Sequence, residues 1–204
     1  SLHAAATGGH RATAELLLQH GAIHSLHSAV ALNDVSAARG LLDAGTPVNQ
    51  MAQVDVGGSD VPAMAPLHVA AMFGRTECLE LLLDGSARID AMDSLEGLTP
   101  LHYAAAGGHI GAAKLLLERG ADVVAGSKLG YGPLSSAVGN LPMTHLLLTH
   151  GAATGQRALD HALLGACGPS GSMEVAKVLL ERGADPNAVD YDGRTALHVA
   201  STVA

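Results

Sequence analysis

Aromatic side chains are nearly absent from this 204-residue chain, which has one Phe, three Tyr and no Trp. A wide core filled by rings is thereby excluded, and thin layers of small aliphatic residues are expected instead. Cys78 and Cys167 are the only cysteines, too few and too far apart for a disulfide framework or a zinc knuckle. A reducing, intracellular setting is expected from that count. No apolar run is long enough to span a bilayer, so membrane insertion is not expected. Positive charge is also scarce: 11 Lys and Arg stand against 19 Asp and Glu, a net charge of -8. That balance argues against nucleic acid or an anionic membrane as the partner.

What the chain has is a pattern that returns. In Gly97 to Asp122, Thr99 suits a helix N-cap and Pro100 the first helical position. Leu101, Ala104 and Ala105 give one small apolar face, and Gly107-Gly108 ends this helix. The spacing predicts a second helix from Ile110 to Glu118 with Leu115, Leu116 and Leu117 as its stripe, closed by Gly120 in the left-handed position. Registered on the leucine before the histidine, copies fall at residues 2, 26, 67, 101, 134, 159 and 197.

Thr99-Pro100-Leu101-His102-Tyr103-Ala104 resembles the signature hexapeptide of the ankyrin repeat family, and the resemblance covers essentially the whole chain. It implies an all-α solenoid of stacked helix-turn-helix repeats with short β-hairpin connections. The chain would be one array, with repeats at about 1–22, 23–50, 51–90, 91–124, 125–152 and 153–187 and a partial repeat at 188–204. The resemblance also implies structural roles for His3, His27, His68, His102 and His198, and for Thr99 and Thr195. In the family the histidine hydrogen-bonds near the start of its helix and toward the neighbouring repeat.

The irregularities carry information as well. The spacings of 24, 41, 34, 33, 25 and 38 place the length changes mostly in the connections. The second and sixth repeats are expected to lack their leading hairpins. The third is expected to have a long one, Val48 to Ala63, with Gly57-Gly58 near its tip. Ser86 replaces a closing glycine, at a cost in backbone strain. The fifth helix pair is two residues short, with Pro142 opening its second helix, and Gly165 to Gly171 reads as an inserted loop in the sixth. The chain opens without Met and inside a helix, so a longer protein is expected.

Catalysis finds little footing. His20, His24 and His27 stand at i, i+4 and i+7, but Gly21 breaks the helix between them and a zinc site needs a converging fourth ligand or water. Cys78 falls on an inward helix face and reads as core, and no Cys-His or Ser-His-Asp arrangement can be built around Cys167. Gly8-Gly9 and Gly107-Gly108 are inter-helix turns, not phosphate loops. No catalytic, metal or cofactor residue is therefore proposed.

Binding belongs on the concave wall formed by hairpin tips and first helices. The four aromatics fall in that register: Phe73, Tyr103, Tyr131 and Tyr191, with packing between first helices as the competing role for Tyr103 and Phe73. Around them stand Met51, Gln53, Asp55, Met72, Met92 and Leu95, and then Glu96, Lys128, Asp192 and Arg194. The missing second and sixth hairpins are expected to interrupt the groove and concentrate contacts on the third to fifth repeats. The leading expectation is a non-catalytic module recognising a protein or peptide. Alternatives are self-stacking end to end into a filament and a targeting arm of an enzyme or toxin.

Overall fold

The structure, a computed structural model, describes residues 25–54 and 62–201, with Ala12, Leu16, Leu17 and His20. The expectations for the first repeat, His3, Asp55, His24 and the Gly57-Gly58 tip lie outside the described residues. Helices come in pairs: α1 (Leu26–Leu32) with α2 (Val35–Asp43), α3 (Pro66–Met72) with α4 (Thr76–Asp84), and α5 (Pro100–Ala106) with α6 (Ile110–Glu118). They continue as α7 (Pro133–Ser136) with α8 (Leu141–Thr149), α9 (Gln156–Ala166) with α10 (Met173–Glu181), and finally α11 (Ala196–Ser201). First helices α1, α3, α5, α7, α9 and α11 stack as one row, and second helices α2, α4, α6, α8 and α10 as another.

Small residues bring the first row close together. Leu67, Ala70 and Ala71 of α3 and Leu101, Ala104 and Ala105 of α5 are fully buried. Leucines of the second row close the core: Leu79, Leu82, Leu116, Leu147 and Leu179 have no exposed surface. Each such leucine contributes roughly 1.5–3 kcal/mol of apolar burial. The glycines of the inter-helix turns matter for a different reason. His109 donates from Nε2 to the Met72 carbonyl at 2.8 Å, across the repeat boundary. A Cβ on Gly107 would meet that ring at 2.5 Å and one on Gly74 at 2.6 Å, so the two glycines form its slot.

Motif histidines tie each repeat to the next. Thr99, at the N-cap of α5, donates its amide and its hydroxyl to His102 Nδ1 at 3.1 and 2.9 Å. An acceptor Nδ1 leaves the proton on Nε2, which donates to the Tyr131 carbonyl at 2.9 Å. His68 repeats the scheme, accepting the Ala65 amide and donating to the Ala91 and Leu98 carbonyls at 2.9 and 3.2 Å. His27 donates to the Met64 carbonyl at 2.9 Å. The last copy, Thr195 with His198, keeps the local half of the scheme.

The second helices end alike. Residues 45, 86, 120, 151 and 183 all have positive φ, and all but Ser86 are glycine. Ser86 has φ 66°. Its amide reaches the Leu83 carbonyl and the Ala87 amide reaches Leu82, the same two bonds that Gly120 and Ala121 make.

One local expectation needs correction, that for the sixth repeat, while the short fifth repeat is as expected. The sixth insertion is helical at its start: α9 runs through Gly165 and Ala166, and the connection covers only 167–172. Gly165 makes this possible, because a Cβ there would press on Val138 at 3.0 Å. The fifth repeat is shortened chiefly in α7, which has four residues. There the Thr144 hydroxyl of α8, its side chain fully buried, bonds the Ala137 and Asn140 carbonyls at 3.1 Å, satisfying backbone that a longer helix would satisfy itself. Pro142 sits in the first turn of α8.

Strand pairing is confined to the third hairpin, where β1 (Ala52–Gln53) and β2 (Ala63–Met64) are antiparallel, and to a single bridge between Val189 and Thr195, among the described residues. The fourth and fifth hairpins are closed by backbone bonds without a bridge, Asp93 N–H to the Leu98 carbonyl and Ser127 N–H to the Tyr131 carbonyl, and Asp190 N–H to the Arg194 carbonyl lies inside the bridge of the seventh.

Two consequences are measurable. Ser86→Gly removes left-handed strain and should stabilise the chain by about 1 kcal/mol in urea titration, after the entropy of the added glycine; no change would mean that the serine backbone is unstrained. Burial, opposed only in part by the carbonyl partners, holds the pKa of His68 and His102 below 6.5. The unfolded chain therefore binds more protons below that pH. Stability is fully present above about pH 6.5 and falls as pH drops below it. A pH series of urea melts should show this decline, and His68→Asn with His102→Asn should flatten it.

Candidate functional site

The hairpin tips of the fourth, fifth and seventh repeats are built differently, and the differences shape the inner wall. In the fourth, Asp93 is 4 % exposed and its carboxylate accepts amides from Leu95, Glu96, Gly97 and Leu98 at 2.8 to 3.2 Å. Tyr103 donates its hydroxyl to the same carboxylate at 2.8 Å. Burial alone would raise the Asp93 pKa, but the Tyr103 hydroxyl and these amides outweigh it and hold the carboxyl below its ordinary value. Tyr103 also stands edge-on to His68, with ring centroids 5.8 Å apart. Its ring is half-buried and its polar end is engaged within the fold.

The fifth hairpin leans on the fourth through Lys128. Its amide donates to the Glu96 carbonyl at 2.8 Å, and its ammonium to the Ser94 and Leu95 carbonyls at 2.6 and 2.7 Å. The charged groups of the seventh hairpin pair with one another. Asp190 accepts the Asp192 and Arg194 amides and pairs with the Arg194 guanidinium at 2.8 Å, and Arg194 also reaches Asp192 at 3.2 Å.

No hairpin precedes α9. Gly155, with φ 130°, turns the chain directly into it. The missing hairpin does not simply break the wall. Tyr191 reaches back over the gap and donates its hydroxyl to the Leu129 carbonyl at 2.6 Å, while Arg157 donates to the same phenol oxygen at 2.9 Å. Tyr131 lies edge-on to Tyr191 at 6.0 Å and tilted against His161 at 4.7 Å. Burial and the Arg157 charge lower the His161 pKa, favouring the neutral ring.

Below this cluster the wall opens into a hollow of about 720 Å³ that runs from the fourth repeat to the seventh. Leu98, Leu164 and Val199 contribute its apolar lining, Leu95 and Leu129 its hairpin side, and Gly168 to Ser170 its far side. A hollow therefore spans the sixth repeat, lined by residues of the fourth to seventh. Sequence reasoning missed His161, Arg157 and Leu129. The first had a visible signal, since it directly follows Asp160, which stands where the motif histidine would be. The other two had none.

The remaining candidates scatter. Met51, Gln53, Met92, Leu95, Glu96, Lys128, Asp192 and Arg194 are exposed, as is Tyr191, while Tyr131 is half-buried. Of these Leu95, Glu96, Lys128, Tyr131 and Arg194 line the hollow. Met72 and Phe73 are half-buried against the core, with the Arg75 guanidinium 6.0 Å from the Phe73 ring. Burial raises the Cys78 thiol to about 11, which leaves it a protonated core residue, and also raises Cys167. Among the described residues no group of His, Cys, Asp and Glu could hold a metal ion, and no helix is long and apolar enough to cross a membrane.

Comparison with known proteins agrees with this architecture. A family model of ankyrin repeats in three copies matches residues 26–127, half of the chain, and a many-copy model matches residues 163–202. No curated protein matches. Among solved structures, the human ASB11 ankyrin repeat domain is similar with a TM-score of 0.67 and 27% identity, over 98% of this chain and 90% of that one.

The Asp93 cluster gives a direct test of the fourth hairpin. Asp93→Ala strands four amides and a phenol and should cost about 2–4 kcal/mol in denaturant titration. In a cycle with Tyr103→Phe the two changes should be non-additive by about 1 kcal/mol. Additive losses would mean that Tyr103 does not act through Asp93.

Proposed function

The chain belongs to the ankyrin repeat family, and from that premise we propose that its inner wall binds a segment of another protein without chemistry of its own. Ankyrin repeats are generally protein–protein interaction modules. One observation carries the placement: the apolar hollow of about 720 Å³ that opens over the fourth to seventh repeats. A concave, mostly apolar site with a few polar groups at its edge suits a peptide segment better than a flat contact.

The rest of the wall supports this reading. Leu95 and Leu129 are 44% and 58% exposed and line the same hollow from successive hairpins. Apolar groups that the core does not use are natural anchors at an interface. Most ionisable groups at the hollow are engaged within the protein, Lys128 on the Ser94 and Leu95 carbonyls and His102 on the Tyr131 carbonyl. Asp190 and Arg194 neutralise one another, and His161 is stacked on Tyr131.

End-to-end self-assembly has one supporting observation, the 79% exposure of Leu197 on the last helix. The opposite face, at the first repeat, lies outside the described residues, so the stacking is not carried further.

Affinity capture with the intact chain, set against the pair Leu95→Ser with Leu129→Ser, tests the assignment. Captured proteins should bind the variant at least about tenfold more weakly. Stability should stay within about 0.5 kcal/mol, because both side chains stand outside the core. Undiminished capture would remove the hollow from consideration.

A further inference from the structure

Two of the hairpins are each joined to the one before by a backbone bond. The fourth hairpin donates the Ser94 amide to the Ala63 carbonyl of the third at 3.1 Å, and the fifth donates the Lys128 amide to Glu96 of the fourth at 2.8 Å. Glu96 stands five residues before Leu101, and Leu129 stands five before Leu134. The hairpin that would supply an amide to the Leu129 carbonyl is the missing sixth. That oxygen accepts the Tyr191 hydroxyl instead, at 2.6 Å and from 62 residues away. An exposed side chain thus stands in for a backbone edge.

Charge around the gap is unequally spent. Beside the apolar hollow lies a second one of about 450 Å³, and His161 and Asp190 line both. The cations nearby are engaged within the protein: Lys128 on two carbonyls, Arg194 on Asp190 and Asp192, Arg157 on the Tyr191 hydroxyl. Glu96 at the first hollow and Asp160 and Asp185 at the second form no ion pair among the described residues, although Asp160 accepts the Gln156 side chain and the Asp185 amide, both at 2.7 Å, and Asp185 the Asn187 amide at 2.8 Å.

Building on the binding role given to the inner wall, we propose that the gap receives a β-turn of a partner protein with a bulky aliphatic side chain at its tip and a basic residue beside it. The aliphatic group enters the larger hollow, and the basic one meets Asp160 and Asp185. A partner backbone N–H takes the Leu129 carbonyl, as Lys128 takes that of Glu96, and restores the hairpin row. Tyr191 is then an internal competitor for the site, not a contact that holds the partner.

The test is a selection of phage-displayed peptides, linear and disulfide-closed, on the whole chain, followed by calorimetry of the peptides obtained. Closed turns with an aliphatic tip and a neighbouring Lys or Arg should be enriched. Tyr191→Phe should tighten them about three- to tenfold, the worth of one competing neutral hydrogen bond. Asp160→Asn with Asp185→Asn, which keeps the side-chain acceptors, should weaken them about five- to tenfold, more at low salt. Thermal melts of each variant confirm that the seventh repeat stays folded. Peptides that are linear or acidic, or indifferent to Tyr191→Phe, yet lost on Leu95→Ser with Leu129→Ser, overturn the turn-insertion inference and leave the wall as a binding surface. Peptides indifferent to the leucine pair, or no enrichment at all, overturn both.

Discussion

The structure depends on buried, neutral imidazoles placed at the start of α3 and α5. His68 and His102 each take a backbone amide of their own helix cap on Nδ1 and give the Nε2 proton to a carbonyl of the next hairpin. One side chain thus closes a local turn and a boundary between repeats at once. Stacking needs such a device because each repeat alone buries only one face of its helices. Where the histidine is replaced, another group makes the connection: Asp160 accepts the Asp185 amide of the following repeat at 2.7 Å.

The same constraint explains how the site proposed for a partner can arise from loss. A repeat without its hairpin still stacks through its helices, as α9 does on α7 and α11. What disappears is one finger of the wall, and with it the partner of a backbone carbonyl. Tyr191 and Arg157 fill the vacancy only in part, leaving hollows on either side of His161. The extra turn of α9 and the 167–172 connection raise the opposite bank. The wall acquires two hollows at this one place.

Much of the architecture was legible in the sequence, since repeated small and large apolar positions dictate paired helices directly. The bounds of α5 and α6, the left-handed residue after each second helix and the closing role of Ser86 follow from that pattern. The helical start of the sixth insertion was not legible. Gly165 reads as a turn residue, yet it is needed inside α9 because Val138 packs against it. The site was less legible still. Counting aromatics located Tyr131 and Tyr191 but not their mutual contact, which joins repeats 60 residues apart, and exposed leucines such as Leu129 have no periodic signature.

Amide hydrogen exchange of the chain with and without a captured partner tests the central claim most directly. The account predicts slowed exchange in the hairpins at 93–98, 127–131 and 190–194 and along α9, with the second helices α2, α4 and α6 unchanged. Protection confined to those second helices would contradict it, because the partner would then sit on the convex side.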